Sequence, residues 1–108
     1  MVDRTVLNLV RRYLDGVRSS GIRVKRAILF GSHVRGEANS ESNIDLIVIA
    51  PEFDGSRDED LVDRLWETRG VADWRIEPFP CGERQWETDD IDPILEIARR
   101  EGRTIETA

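Results

Sequence analysis

Cysteine is almost missing from this chain: Cys81 stands alone among 108 residues. A single thiol excludes an internal disulfide and any cysteine-rich zinc site, and leaves Cys81 as a small, partly buried side chain. Long hydrophobic runs are missing as well. The longest, Leu46-Ile47-Val48-Ile49-Ala50, is far short of the ~20 residues that a membrane-spanning helix needs. The opening Met1-Val2-Asp3-Arg4 leads into an amphipathic pattern and not into the apolar stretch of a secretory signal, so a cytoplasmic protein is expected. Basic charge is also scarce. Lys and Arg number 16 against 22 Asp and Glu, for a formal net charge of −6. A chain without a basic face is not built to bind the nucleic-acid backbone broadly. A small anion such as a nucleotide stays open, because a metal ion can supply the counter-charge.

What is present suits one globular domain spanning residues 1–108, with a modest core and a heavily charged surface: 39% of residues are apolar and 35% charged. Val6, Leu7, Val10, Tyr13, Leu14 and Val17 recur at helical spacing opposite Arg11, Arg12, Asp15 and Arg18, which predicts a helix from Arg4 to Ser19 ended by Gly21. A strand is expected over Val24 to Phe30, broken by Gly31-Ser32, with a short helix through Val34 and Arg35. Glu37 to Ser42 reads as a loop, and Ile44 to Ala50, apolar on both faces, as a central strand. Pro51 to Ser56 is a second loop. Leu61, Val62, Leu65 and Trp66 mark a helix ended by Gly70, and Val71 to Phe79 a third strand whose far end Pro78 and Pro80 limit. Asp92 is the expected N-cap of a last helix, with Pro93 in its first turn, Ile94, Leu95, Ile97 and Ala98 apolar, and Gly102 just beyond its end. A short strand over Arg103 to Glu106 can follow. Such alternation implies a sheet covered by helices, an α+β arrangement. His33, Trp66, Trp74 and Trp86 need no functional role, and Trp66 and Trp74 are expected in the core.

The chemistry concentrates between Phe30 and Val48. A strand runs into Gly31-Ser32 and then an expected helix start. Glycine allows a tight turn and close approach to a ligand, and free N–H groups with a serine hydroxyl can hold a phosphate. Alone this is an ordinary turn. Ten residues after Ser32, however, the chain reads Asn43-Ile44-Asp45 and enters the apolar strand. Residues two apart on a strand share a face, so Asn43 and Asp45 project together, beside the glycine turn if the two strands are neighbours. Oxygen ligands next to a phosphate cradle are what Mg²⁺-assisted phosphoryl transfer requires.

Gly31-Ser32-His33-Val34-Arg35-Gly36 and Ser42-Asn43-Ile44-Asp45-Leu46 resemble the Gly-Ser, ten residues, Asp-x-Asp signature of the polymerase-β-like nucleotidyltransferases, most of all the minimal, MNT-type members. The resemblance spans nearly the whole chain. It implies a small central mixed β-sheet flanked by helices, the nucleotidyltransferase fold. It also implies ATP as substrate and two Mg²⁺ ions held by residues 43, 45 and a third carboxylate, Glu77 or, less well matched, Asp73. Asn43, Asp45 and Glu77 thereby become the candidate catalytic and metal-binding residues, and Gly31, Ser32 and Arg35 the candidates for holding phosphate. Arg35 could equally form a surface salt bridge to Glu37 or Glu41.

Asn43 departs from the pattern. The family carries aspartate there, and asparagine offers one neutral carbonyl oxygen in place of a carboxylate. This is either a member whose catalysis has weakened or an aspartate exchanged for its closest neutral analogue. Minimal members of this type are commonly paired with HEPN-domain proteins. The resemblance therefore implies an antitoxin that moves AMP from ATP to a tyrosine of a HEPN-domain ribonuclease toxin. Two alternatives remain: an inactive antitoxin that neutralises its partner by binding alone, and a small-molecule nucleotidyltransferase working as a homodimer.

Overall fold

The computed structural model describes residues 2–55 and 58–105. Helix α1 (Arg4–Ser19) begins where the Asp3 carboxylate accepts the Thr5 amide, and buries Val6, Val10, Tyr13, Leu14 and Val17. Strand β1 (Arg26–Phe30) follows, then the single-turn helix α2 (Ser32–Arg35) and strand β2 (Ile44–Ile49). A 3₁₀ turn at Pro51–Phe53 leads to α3 (Glu59–Glu67), and a second at Thr68–Val71 leads to β3 (Ile76–Cys81). Helices α4 (Glu83–Thr88) and α5 (Pro93–Glu101) and strand β4 (Arg103–Ile105) complete the order. The expected residue Ser56 of the second loop, and Glu106 of the last strand, lie outside the described residues.

The four strands form one mixed sheet in the order β3-β2-β1-β4, with β1 antiparallel to both neighbours and β2 parallel to β3. Central β2 feeds two cores. Ile44, Leu46 and Val48 pack beneath α1 and Leu65 of α3. Ile47 and Ile49 face the other way, against Ile28, Phe30 and Cys81 of the sheet and Leu95 and Ala98 of α5. The period of two explains how one apolar run serves both layers. Tyr13 crosses the first core to donate its hydroxyl to the Leu65 carbonyl at 2.7 Å, fixing α3 to α1; burial holds the phenol well above its usual pKa. Among the described residues, no helix is long and apolar enough to cross a membrane.

Four expectations change. The third strand is Ile76–Cys81, not Val71–Phe79, and it runs through both prolines. Arg75 and Cys81 turn their carbonyls to β2, where the Ile44 and Ala50 amides meet them. Pro78 and Pro80 therefore fall on the alternate positions, which face the open edge, and no ladder hydrogen bond is lost. Helix α3 stops at Glu67, ahead of Gly70, and continues as the 3₁₀ turn. Helix α4 occupies a stretch with no pattern of its own: its amides at Arg84 and Gln85 are capped by the distant Asp54 carboxylate. Trp66 and Trp74 are exposed and not buried. Leu65 takes the inward position on α3, one residue away, and Trp74 lies in the turn before β3.

Candidate functional site

The site lies where β2 begins. Phe30, the last residue of β1, pairs with Asp45, and Asp45 pairs on its other side with Glu77 of β3. Asn43 lies two residues ahead of Asp45, and its amide Nδ2 donates to Glu77 Oε2 at 2.9 Å. Asn43, Asp45 and Glu77 are thus gathered on one end of two adjacent strands. Gly31 turns over Asp45 with φ +85, and a β-carbon there would run into the Asp45 carboxylate. This close approach is the reason for glycine at the position.

Ser32 opens α2 directly after that turn, half-buried. Arg35, at the end of α2, is exposed and held by two carboxylates, Glu37 at 2.6 Å and Glu101 of α5 at 2.9 Å. Those hydrogen bonds raise its already high pKa. The expected surface salt bridge therefore forms with Glu37, and the second partner is Glu101, not Glu41. Asp73 is committed elsewhere. Its carboxylate accepts from the Arg75 side chain and amide, which pull its pKa down. Glu77 is the acidic residue of β3 that meets Asp45.

Arg75, and His33, which was expected to have no functional role, support this end of the sheet. The Arg75 guanidinium donates to the Ser40 carbonyl at 3.1 Å, and His33 Nε2 lies 3.4 Å from the Ser42 carbonyl. Both hold the loop that delivers Asn43. No motif marks them, because each acts through a backbone oxygen.

Asp45 titrates above its ordinary 3.8, first because burial penalises its charge and then because Glu77 repels it; His33 and Arg35 act in the opposite sense. A carboxyl with a raised folded pKa stabilises the fold fully below pH 3.8, and this contribution is lost as pH rises through the raised value. At neutral pH the ionised Asp45 therefore opposes folding. Asp45→Asn is expected to unfold at higher temperature than the parent at pH 7 and to lose that advantage below pH 3.8. Scanning calorimetry at the two pH values checks this, and an equal gain at both would contradict the electrostatic origin.

The donor set suits a hard divalent cation, whose charge would relieve the repulsion between Asp45 and Glu77. It is a reduced set. Among the described residues, no group of three His, Cys, Asp or Glu side chains is gathered for a metal ion. Two carboxylates and one amide stand here, and the amide nitrogen is turned to Glu77.

A protein of similar fold is a provisionally named nucleotidyltransferase from Sulfolobus solfataricus, with 20% identity, a TM-score of 0.59, and 76% of this chain and 71% of that chain covered. Another is a toxin–antitoxin structure with AMP-PNP, with 16% identity, a TM-score of 0.64, and 94% of this chain and 73% of that one covered. No curated protein matches the sequence. The profile of the nucleotidyltransferase domain family matches residues 10–97, from the middle of α1 through most of α5. Together with the glycine turn over Asp45, this match shows that the chain belongs to the nucleotidyltransferase domain family.

Proposed function

We propose that this chain is the MNT-type antitoxin of a HEPN/MNT toxin–antitoxin pair, transferring AMP from ATP to a tyrosine of its toxin in the cytoplasm, with transfer held down by Asn43. The observation that carries the reading is the convergence of Asn43, Asp45 and Glu77 at one end of the sheet, with the Gly31 turn over Asp45. The similar toxin–antitoxin structure with AMP-PNP supports both the nucleotide and the kind of partner. An acidic chain also fits a protein acceptor better than a nucleic acid.

In this reading Gly31 and Ser32 accept the triphosphate where the backbone can approach it closely, and Arg35 neutralises phosphate charge once it exchanges a carboxylate partner for the nucleotide. Asp45 and Glu77, with the Asn43 carbonyl, would hold Mg²⁺. When bound, the metal supplies positive charge to the attacking and leaving oxygens. The tyrosine oxygen bonds to the α-phosphorus, the bond from that phosphorus to the bridging oxygen breaks, and pyrophosphate leaves. Glu77 is the carboxylate suited to receive the phenolic proton.

A second reading is favoured by one contact. The Asn43 amide that donates to Glu77 gives that carboxylate a neutral partner in place of a cation, which suits an antitoxin that neutralises by occlusion. The mass of the co-expressed HEPN-domain protein separates the two. Addition of AMP by the Asn43→Asp chain, with little or none by the parent, is the expected result. An unmodified partner in stable complex with both forms would establish occlusion and overturn transfer.

A further inference from the structure

The least expected surface of this molecule is aromatic. Trp66 at the end of α3 is 37% exposed, Val71 in the following turn 56%, and Trp74 before β3 67%. Trp66 and Trp74 belong to one patch. The Arg69 guanidinium lies 4.6 Å from the Trp66 ring centroid and 5.3 Å from that of Trp74. Its Nε donates to the Trp66 carbonyl at 2.8 Å and its Nη1 to the Trp74 carbonyl at 3.2 Å. Arg69 is thus a wedge holding both rings, occupied by the chain itself, and not a cation free to meet an anionic ligand. The turn beneath is seated firmly. Thr68 and Val71 pack so closely on Gly16 of α1 that a β-carbon there would meet both at 2.9 Å. A rigid pair of exposed tryptophans beside an arginine has the composition that dominates binding energy at protein interfaces.

The charge around the patch selects the partner. Glu59, Asp63 and Glu67 recur every four residues on α3, so they line one face, and Trp66, three residues after Asp63, borders that row. All three carboxylates are exposed, and none has an ion-pair partner among the described residues. A second copy of this acidic chain would set like charges against each other. We propose that Trp66 and Trp74, with the row Glu59, Asp63 and Glu67, form the docking surface for a basic protein whose own apolar patch is ringed by Lys and Arg. This rests on the reading of a protein partner given above. An RNA-cleaving partner carries such a basic face for its phosphate substrate, so docking here would cover that face directly. Trp74 is three residues ahead of Glu77, so the docked protein lies close to the end of β3 that bears the site.

The test uses the 108-residue chain and the separately purified HEPN-domain protein of the proposed pair, with affinity measured by calorimetry at low and high salt. The double variant Trp66→Ala/Trp74→Ala is expected to bind at least about thirtyfold more weakly. Asp63→Lys/Glu67→Lys, which touches no buried group, is expected to weaken binding and flatten its salt dependence. Far-UV circular dichroism reports whether each variant keeps its fold. Parent-like affinity in the folded charge variant, at both salt concentrations, overturns the assignment of this surface and leaves the partner reading standing. A parent chain that does not bind the HEPN-domain protein overturns the partner reading and this surface with it. Self-association of the parent that the tryptophan variant abolishes assigns the patch to a second copy and overturns the basic partner.

Discussion

Replacing Gly31 with valine is expected to remove on the order of 3 kcal/mol of stability and to displace Asp45. Two costs combine. Gly31 has φ +85, and a β-branched residue held at positive φ costs about 1–3 kcal/mol. The new side chain would also start inside the Asp45 carboxylate. Asp45 is anchored in the middle of the sheet, paired on both sides, so neither partner yields without loss of packing. For a domain of this size each kcal/mol lowers the melting temperature by about 4–8 °C. Gly36→Val is the control. Gly36 has φ +77, but nothing lies within 4 Å of the β-carbon it would acquire, so only the backbone cost applies. The gap between the two melting temperatures measures the close approach at Gly31. Equal losses would show that this glycine is there for its backbone angle alone.

Gly31, Asn43 and Asp45 were legible because their relationship follows from two local rules: glycine permits the turn, and the two-residue period puts 43 and 45 on one face. Their encounter needed only that β1 and β2 be neighbours, which a connection this short favours. Glu77 was legible as a residue but not as a contact. Its pairing with Asp45 depends on parallel register between strands separated by the whole of α3. The same gap explains the misplaced third strand. Val71 looks like a strand residue, yet it is pinned on Gly16 in a turn, while Pro78 and Pro80 look like strand breakers and sit harmlessly on an edge.

Other elements were unreadable because their cause is remote in sequence. The carboxylate that caps α4 belongs to Asp54, and the chain must fold before that cap exists. The tryptophans show the reverse failure. Large aromatic residues are usually buried, and one helical step separates the inward Leu65 from Trp66. Their exposure contradicts a sound general rule, which is why the surface they form carries information about binding.

Asn43→Asp is the substitution expected to change the protein most. The Asn43 amide and Glu77 stand 2.9 Å apart, joined by a hydrogen bond that a second carboxylate cannot make. With aspartate, two unit charges at about 4 Å would oppose each other by about 1–4 kcal/mol, depending on how far water screens them. Asp45, already raised in pKa by burial and by Glu77, adds a third. The metal-free variant should therefore melt below the parent at neutral pH. Excess Mg²⁺ should reverse the order, because a ligand that binds only the folded state stabilises it by RT ln(1 + [L]/Kd). The parent, with one carboxylate fewer, should respond weakly to the same addition. AMP transfer should rise on the order of a hundredfold, equivalent to about 2.7 kcal/mol at the transition state. Thermal unfolding with and without Mg²⁺ reads the first effect and pyrophosphate release the second. A variant that melts like the parent under both conditions would show that residue 43 takes no part in holding a cation. A variant that gains the Mg²⁺ response without transfer would separate metal binding from catalysis, and would favour the occlusion reading over the proposed transfer.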